Sequence, residues 1–82
     1  AELRFTPERS RWVEREEWHP DQESSHEADG SFVLKVPYSD PRELLGDILR
    51  HGPEVEVMAP TPLRHSVQKA LAEALRRYDS YH

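Results

Sequence analysis

The chain has 82 residues, no cysteine, and a formal charge of −5 from 16 acidic and 11 basic side chains. That length supports one small domain, the missing thiols exclude a disulfide scaffold and suit a reducing cytoplasm, and the acidic balance opposes clamping of duplex DNA. No apolar run reaches the length of a membrane span, so no membrane partner is expected.

In chain order, Glu2 to Phe5 alternates polar and apolar, the pattern of a half-buried strand. Thr6-Pro7 then pairs a good helix cap with the residue favoured at the first helical position. A helix from Pro7 to about Glu17 is predicted, with Trp12 and Val13 facing inward and Ser10 and Glu16 near that face. Pro20 excludes a regular central strand in the next stretch. Asp29-Gly30 is a turn signal ahead of an apolar run. The simplest account is a hairpin: a polar edge strand ending near Glu27, returning as Ser31 to Val36. In the return strand Phe32, Leu34 and Val36 share one face, and its apolar character places it inside a sheet.

Asp40-Pro41-Arg42-Glu43 is a capping box, and Leu44, Leu45, Ile48 and Leu49 recur at helical spacing. This second helix, Asp40 to His51, stops at Gly52-Pro53. A strand over Glu54 to Met58 follows, with Val55 and Val57 on one side and glutamates on the other, as suits a sheet edge. Thr61-Pro62 repeats the cap-plus-proline start. Val67, Ala70, Leu71, Ala74, Leu75 and Tyr78 then form an apolar stripe, and Asp79 to His82 is expected to fray. If the helical faces form the core, Leu45→Ala or Leu71→Ala costs roughly 2–5 kcal/mol.

The order is strand, helix, strand, strand, helix, strand, helix. The first six elements are a split βαβ arrangement, so the predicted class is α+β: a ferredoxin-like βαββαβ sandwich with an additional C-terminal α-helix, one domain over residues 1–82. Strands one and three are then central, two and four are edges, and right-handed crossovers put both internal helices on one face. The other face is left for the last helix or a partner to cover. The thin core (35% hydrophobic against 33% charged) and the absence of an initiating Met suggest a segment of a longer polypeptide.

Several pieces, taken together with their spacing, resemble a known family. They are Leu3-Arg4-Phe5, Val13-Glu14-Arg15, Trp18-His19-Pro20-Asp21-Gln22, Asp29-Gly30-Ser31, Gly52-Pro53-Glu54-Val55-Glu56-Val57, Pro60, Leu63-Arg64 and Tyr78. The set is similar to the C-terminal extension, or WCX domain, of WYL-domain-containing transcriptional regulators. The resemblance implies a bacterial, cytoplasmic regulator. In it, an N-terminal helix-turn-helix binds DNA and a WYL domain lies between that part and this one. It also implies a ferredoxin-like fold for the extension, a homodimer, and a role in relaying the binding of a nucleic-acid or nucleotide effector.

No catalytic constellation is visible. The serines have no motif around them, and no G-x-S-x-G elbow or Gly-rich phosphate loop is present. Five histidines lack the spacing of a metal site. Neither enzymatic activity, nor a cofactor, nor a metal is expected. Arg4, Arg11 and Arg15 form a candidate patch for effector phosphates, or else pair with neighbouring glutamates. Trp18 either packs across an interdomain seam or anchors the core under a loop, and His19 and Gln22 are candidate contacts to a neighbouring domain. Val67, Leu71, Leu75 and Tyr78 are the candidate oligomer interface. The alternative function is a small-molecule or nucleotide binding module using the open sheet face, with Val33 among its lining residues.

Overall fold

A computed structural model describes residues 1–79. Its elements are β1 (Glu2–Phe5), α1 (Pro7–Val13), β2 (Glu23–His26), β3 (Phe32–Lys35), α2 (Pro41–Arg50), a 3-10 turn (Gly52–Glu54), β4 (Val55–Ala59) and α3 (Thr61–Asp79). The strands form one sheet in the order β2-β3-β1-β4. All three pairings are antiparallel. β1 and β3 are central, as their apolar content implies.

The alternation in the strands decides which side is buried. Leu3 stands opposite both Leu34 and Val57, and Phe5 opposite Phe32 and Val55. With Val36 these inward residues meet Val13 of α1, Leu44 and Ile48 of α2 and Leu63 of α3 in one apolar core. Both internal helices therefore lie on the same face of the sheet. The opposite face carries Glu2, Arg4, Ser25, Val33, Lys35 and Glu56.

Cap chemistry starts the first two helices where the sequence places them. The Thr6 hydroxyl accepts from the Arg9 amide at 3.3 Å, and the Asp40 carboxylate accepts from the Arg42 amide at 2.9 Å. Thr6 also donates to the Glu54 carboxylate, which ties the start of α1 to the entry of β4. Gly30 in the hairpin turn and Gly52 after α2 adopt φ of 92° and 56°, a region that side chains with a Cβ rarely enter.

Several boundaries and faces differ from expectation. α1 ends at Val13, not Glu17, because Glu14 closes it and Glu16 folds back to donate its amide to the Val13 carbonyl at 2.9 Å. In a helix of two turns only Ser10 and Val13 face the core. Trp12 is 61% exposed, lying under the Arg9 guanidinium at 5.3 Å, and Trp18 supplies the inward aromatic ring instead. β4 starts at Val55, since Glu54 belongs to the 3-10 turn. α3 starts at Thr61, with the Arg64 amide donating to the Pro60 carbonyl at 3.1 Å, so Thr61 lies inside the helix instead of capping it.

The stripe of α3 is not core. Leu63 is buried and Val67 half-buried, but Leu71, Leu75 and Tyr78 are 49%, 61% and 74% exposed. Leu45 is only half-buried, its neighbours Leu44 and Ile48 taking the interior positions. The large packing cost expected of Leu45 and Leu71 therefore moves to the interior residues. Asp79 is still helical, and the fraying expected from Ser80 to His82 falls outside the described residues.

Candidate interaction surfaces

Three surfaces gather the chemistry of this domain. The first is the loop between α1 and β2. The Gln22 side chain organises it: Oε1 accepts from the amides of Trp18 at 2.6 Å and His19 at 3.2 Å, while Nε2 donates to the Glu16 carbonyl at 3.1 Å. His19 Nδ1 accepts from the Asp21 amide at 3.0 Å. The Trp18 indole donates to the Glu16 carboxylate at 2.9 Å. Its ring stacks on His51 at 5.7 Å and meets the Phe5 ring edge-on at 5.9 Å. Trp18 thus packs against the core under the loop, and the amide of Gln22 makes three hydrogen bonds that hold that loop. A cavity of about 170 Å3 lies beside it, lined among others by Trp18, His19, Tyr38 and Glu43.

His51 was not singled out by sequence, although it continues the i, i+4, i+7 spacing of Leu44 and Ile48 and could have been found that way. It is 5% exposed, and among the described residues neither ring nitrogen has a hydrogen-bond partner. Burial, followed by the nearby Arg50 charge, lowers its pKa below the ordinary value, outweighing the Glu16 and Asp47 carboxylates that act in the opposite sense. Between that lowered pKa and the unfolded value of about 6.5, the unfolded chain binds a proton that the folded chain refuses. Stability is therefore complete above pH 6.5 and falls as the pH drops through that window. Thermal unfolding followed from pH 7.5 to 5 should show this decline, and His51→Phe, which keeps a ring in place, should flatten it. An unchanged slope in the variant would assign the acid sensitivity to other groups.

The second surface is the outer sheet face, which carries a chain of charges. Arg4 meets Glu56 at 3.0 Å and Glu27 at 3.8 Å, and Arg64 of α3 meets the other Glu56 oxygen and the Val57 carbonyl, each at 2.8 Å. The hydrogen bonds from Arg64, then Arg4, hold the Glu56 carboxyl below its usual pKa. Exposed pairs of this kind contribute only about 0.2–1 kcal/mol each, so the chain orders the surface more than it stabilises the fold. At one end of this face Glu2, Asp21 and Glu23 surround a cavity of about 610 Å3, with Lys35 among them. Among the described residues no strand presents an aromatic ring on this face, so those strands form no stacking platform for bases.

The candidate phosphate patch is not assembled. Arg4 points to the outer face, whereas α1 lies on the inner one, and Arg15 falls beyond the end of the shortened helix that carries Arg11. The third surface is the exposed stripe of α3, where Leu71, Leu75 and Tyr78 follow the half-buried Val67. Among the described residues no cluster of three or more His, Cys, Asp or Glu is placed to hold a metal, and no helix is long and apolar enough to cross a membrane.

The domain is a small α+β unit with an antiparallel sheet covered on one face and with an ordered loop, ion pairs and a partly uncovered helix at its surface. Residues 1–75 match the WCX domain, and the chain belongs to that family. WCX is a regulatory domain family associated with WYL-type regulators. No curated protein gives a significant match.

Proposed function

We propose that this domain is the C-terminal module of a bacterial, cytoplasmic WYL-type transcriptional regulator. It acts in dimerisation and couples effector sensing to DNA binding by a helix-turn-helix elsewhere in the same polypeptide. Membership of the WCX family supports the setting. The strand order β2-β3-β1-β4 with both internal helices on one face supports a ferredoxin-like reading of the fold. The observation that carries the dimerisation role is the bare stripe on α3. Its last three turns project beyond the packing of Leu63 and Val67, and Leu71, Leu75 and Tyr78 are exposed there.

A contact between the neighbouring WYL domain and the exposed Arg11 of α1 and Arg15 just beyond it is part of this proposal, as is a second contact through His19. A nucleotide ligand on the outer sheet face draws less support, because the carboxylates around the cavity there repel phosphate. The test is sedimentation of the regulator containing this segment. Leu71→Asp with Leu75→Asp should abolish self-association while leaving the stability of the domain within about 1 kcal/mol, as expected for exposed positions. Association unaffected by both changes would remove the dimerisation role from α3.

A further inference from the structure

His51 closes α2 with its ring buried, and among the described residues both ring nitrogens lack a hydrogen bond. The ring lies between aromatic neighbours: Trp18 stacks on it at 5.7 Å, and Phe5 meets it edge-on at 5.2 Å. An apolar ring would fill this place without the cost of burying unpaired polar atoms. What a histidine adds is a charge that switches on near neutral pH.

Charged groups reach the ring from several elements. α1 brings Arg9, whose buried Nε also lacks a partner among the described residues. The α1–β2 loop brings Glu16, and α2 brings Asp47 and Arg50. β1 contributes the uncharged Phe5 ring, and the Glu54 carboxylate of the 3-10 turn is bound to Thr6. A proton on His51 therefore adds a cation beside Arg9 and Arg50. Neither Asp47 nor Glu16 is within hydrogen-bond distance of the ring, and Glu16 already serves the Trp18 indole at 2.9 Å and Arg50 at 3.6 Å. A charged ring here needs water or a freed carboxylate.

The two sides of this contact are not held equally. His51 is fixed by its backbone: its amide donates to the Ile48 and Leu49 carbonyls, and its carbonyl accepts from the Glu54 amide at 3.1 Å. The loop above it is fastened by side chains, namely the half-buried Trp18 ring and the Glu16–Arg50 contact. The bonds around Gln22 close the loop on itself. We infer that protonation of His51 releases the loop from Glu16 to Gln22 and lifts Trp18 off the core, while the sheet and helices stay folded. The domain thus carries an acid-operated latch, in which the weakly fastened segment opens ahead of the whole. Release also frees His19 from its fixed position, although the latch does not depend on the contact proposed for that side chain.

The test follows Trp18 as the one tryptophan of the 82-residue chain carrying Trp12→Phe, from pH 7.5 to 5. Acrylamide quenching and emission wavelength report the indole, and far-UV circular dichroism reports the fold. Below about pH 6.5 quenching should rise severalfold and emission should move to the red while the ellipticity holds. The open population should gain up to about tenfold per pH unit, because the open loop leaves His51 free to take the proton that the closed site refuses. His51→Phe should remove this pH dependence, and His51→Gln, which likewise takes no proton, should do the same if the larger ring is not accommodated. Loss of shielding and ellipticity together overturns the latch. So does an indole that stays shielded to pH 5, or an equal acid response in the His51 variants.

Discussion

Phe5→Ala should largely unfold this domain. Phe5 is fully buried, and its ring touches three others: Trp18 at 5.9 Å, Phe32 at 6.5 Å and His51 at 5.2 Å. It stands in a central strand, opposite Phe32 on one side and Val55 on the other, so no loop can close over the space it leaves. Removing a buried phenylalanine ring costs roughly 3–5 kcal/mol. A chain this short is stabilised by only about 4–12 kcal/mol in total. The variant should therefore show a greatly reduced urea midpoint, with a substantial unfolded population at 37 °C. Trp12→Ala provides the contrast: it removes a larger ring from an exposed position and should shift stability by about 1 kcal/mol or less. Equal losses in the two variants would contradict the assignment of the inner face.

The second large effect is expected at Gln22, a residue with no apolar contribution to the core. Gln22→Leu keeps its approximate size but leaves the amides of Trp18 and His19 and the carbonyl of Glu16 without their partner. Water can reach some of these groups, so the expected loss is about 1–3 kcal/mol. The loop holds Trp18 against Phe5 and His51, so the indole should also loosen. In a Trp12→Phe background, where Trp18 is the one remaining tryptophan, its emission should move to the red. Gln22→Glu preserves the acceptor that serves Trp18 and His19 and should recover part of the loss. A Gln22→Leu chain with unchanged stability and emission would point back to an intermolecular role for this side chain.

The contrast between Trp12 and Trp18 shows where sequence reasoning stops. Both rings are large and apolar, and a helix continued to Glu17 is expected to turn Trp12 inward, but Ser10 and Val13 take the inner face of α1. The early closure of α1 depends on Glu16 folding back and on its carboxylate accepting from the Trp18 indole, contacts that exist only after the loop has closed. The arginine patch fails for a related reason. The four-residue spacing of Arg11 and Arg15 implies a common face only if the helix persists, and the alternation of β1 sends Arg4 to the other side of the sheet. The buried histidine was legible in its spacing. Its lack of partners was not, because that depends on what α1 and the loop bring against it.

Local chemistry by itself determined the order of elements, the caps at Thr6 and Asp40, the turn at Asp29-Gly30, the stop at Gly52 and the inward faces of the strands. Each of these follows from neighbours within about one turn or from a period of two. Only the tertiary structure decided which apolar stripes find a partner. Amphipathic spacing gives α2 and α3 faces of the same kind, yet Leu44 and Ile48 lie under the sheet while Leu71 and Leu75 meet solvent. A helix covers what the connections on either side let it reach, and α3, fastened by its first turns beside α2, extends past the edge of its own core.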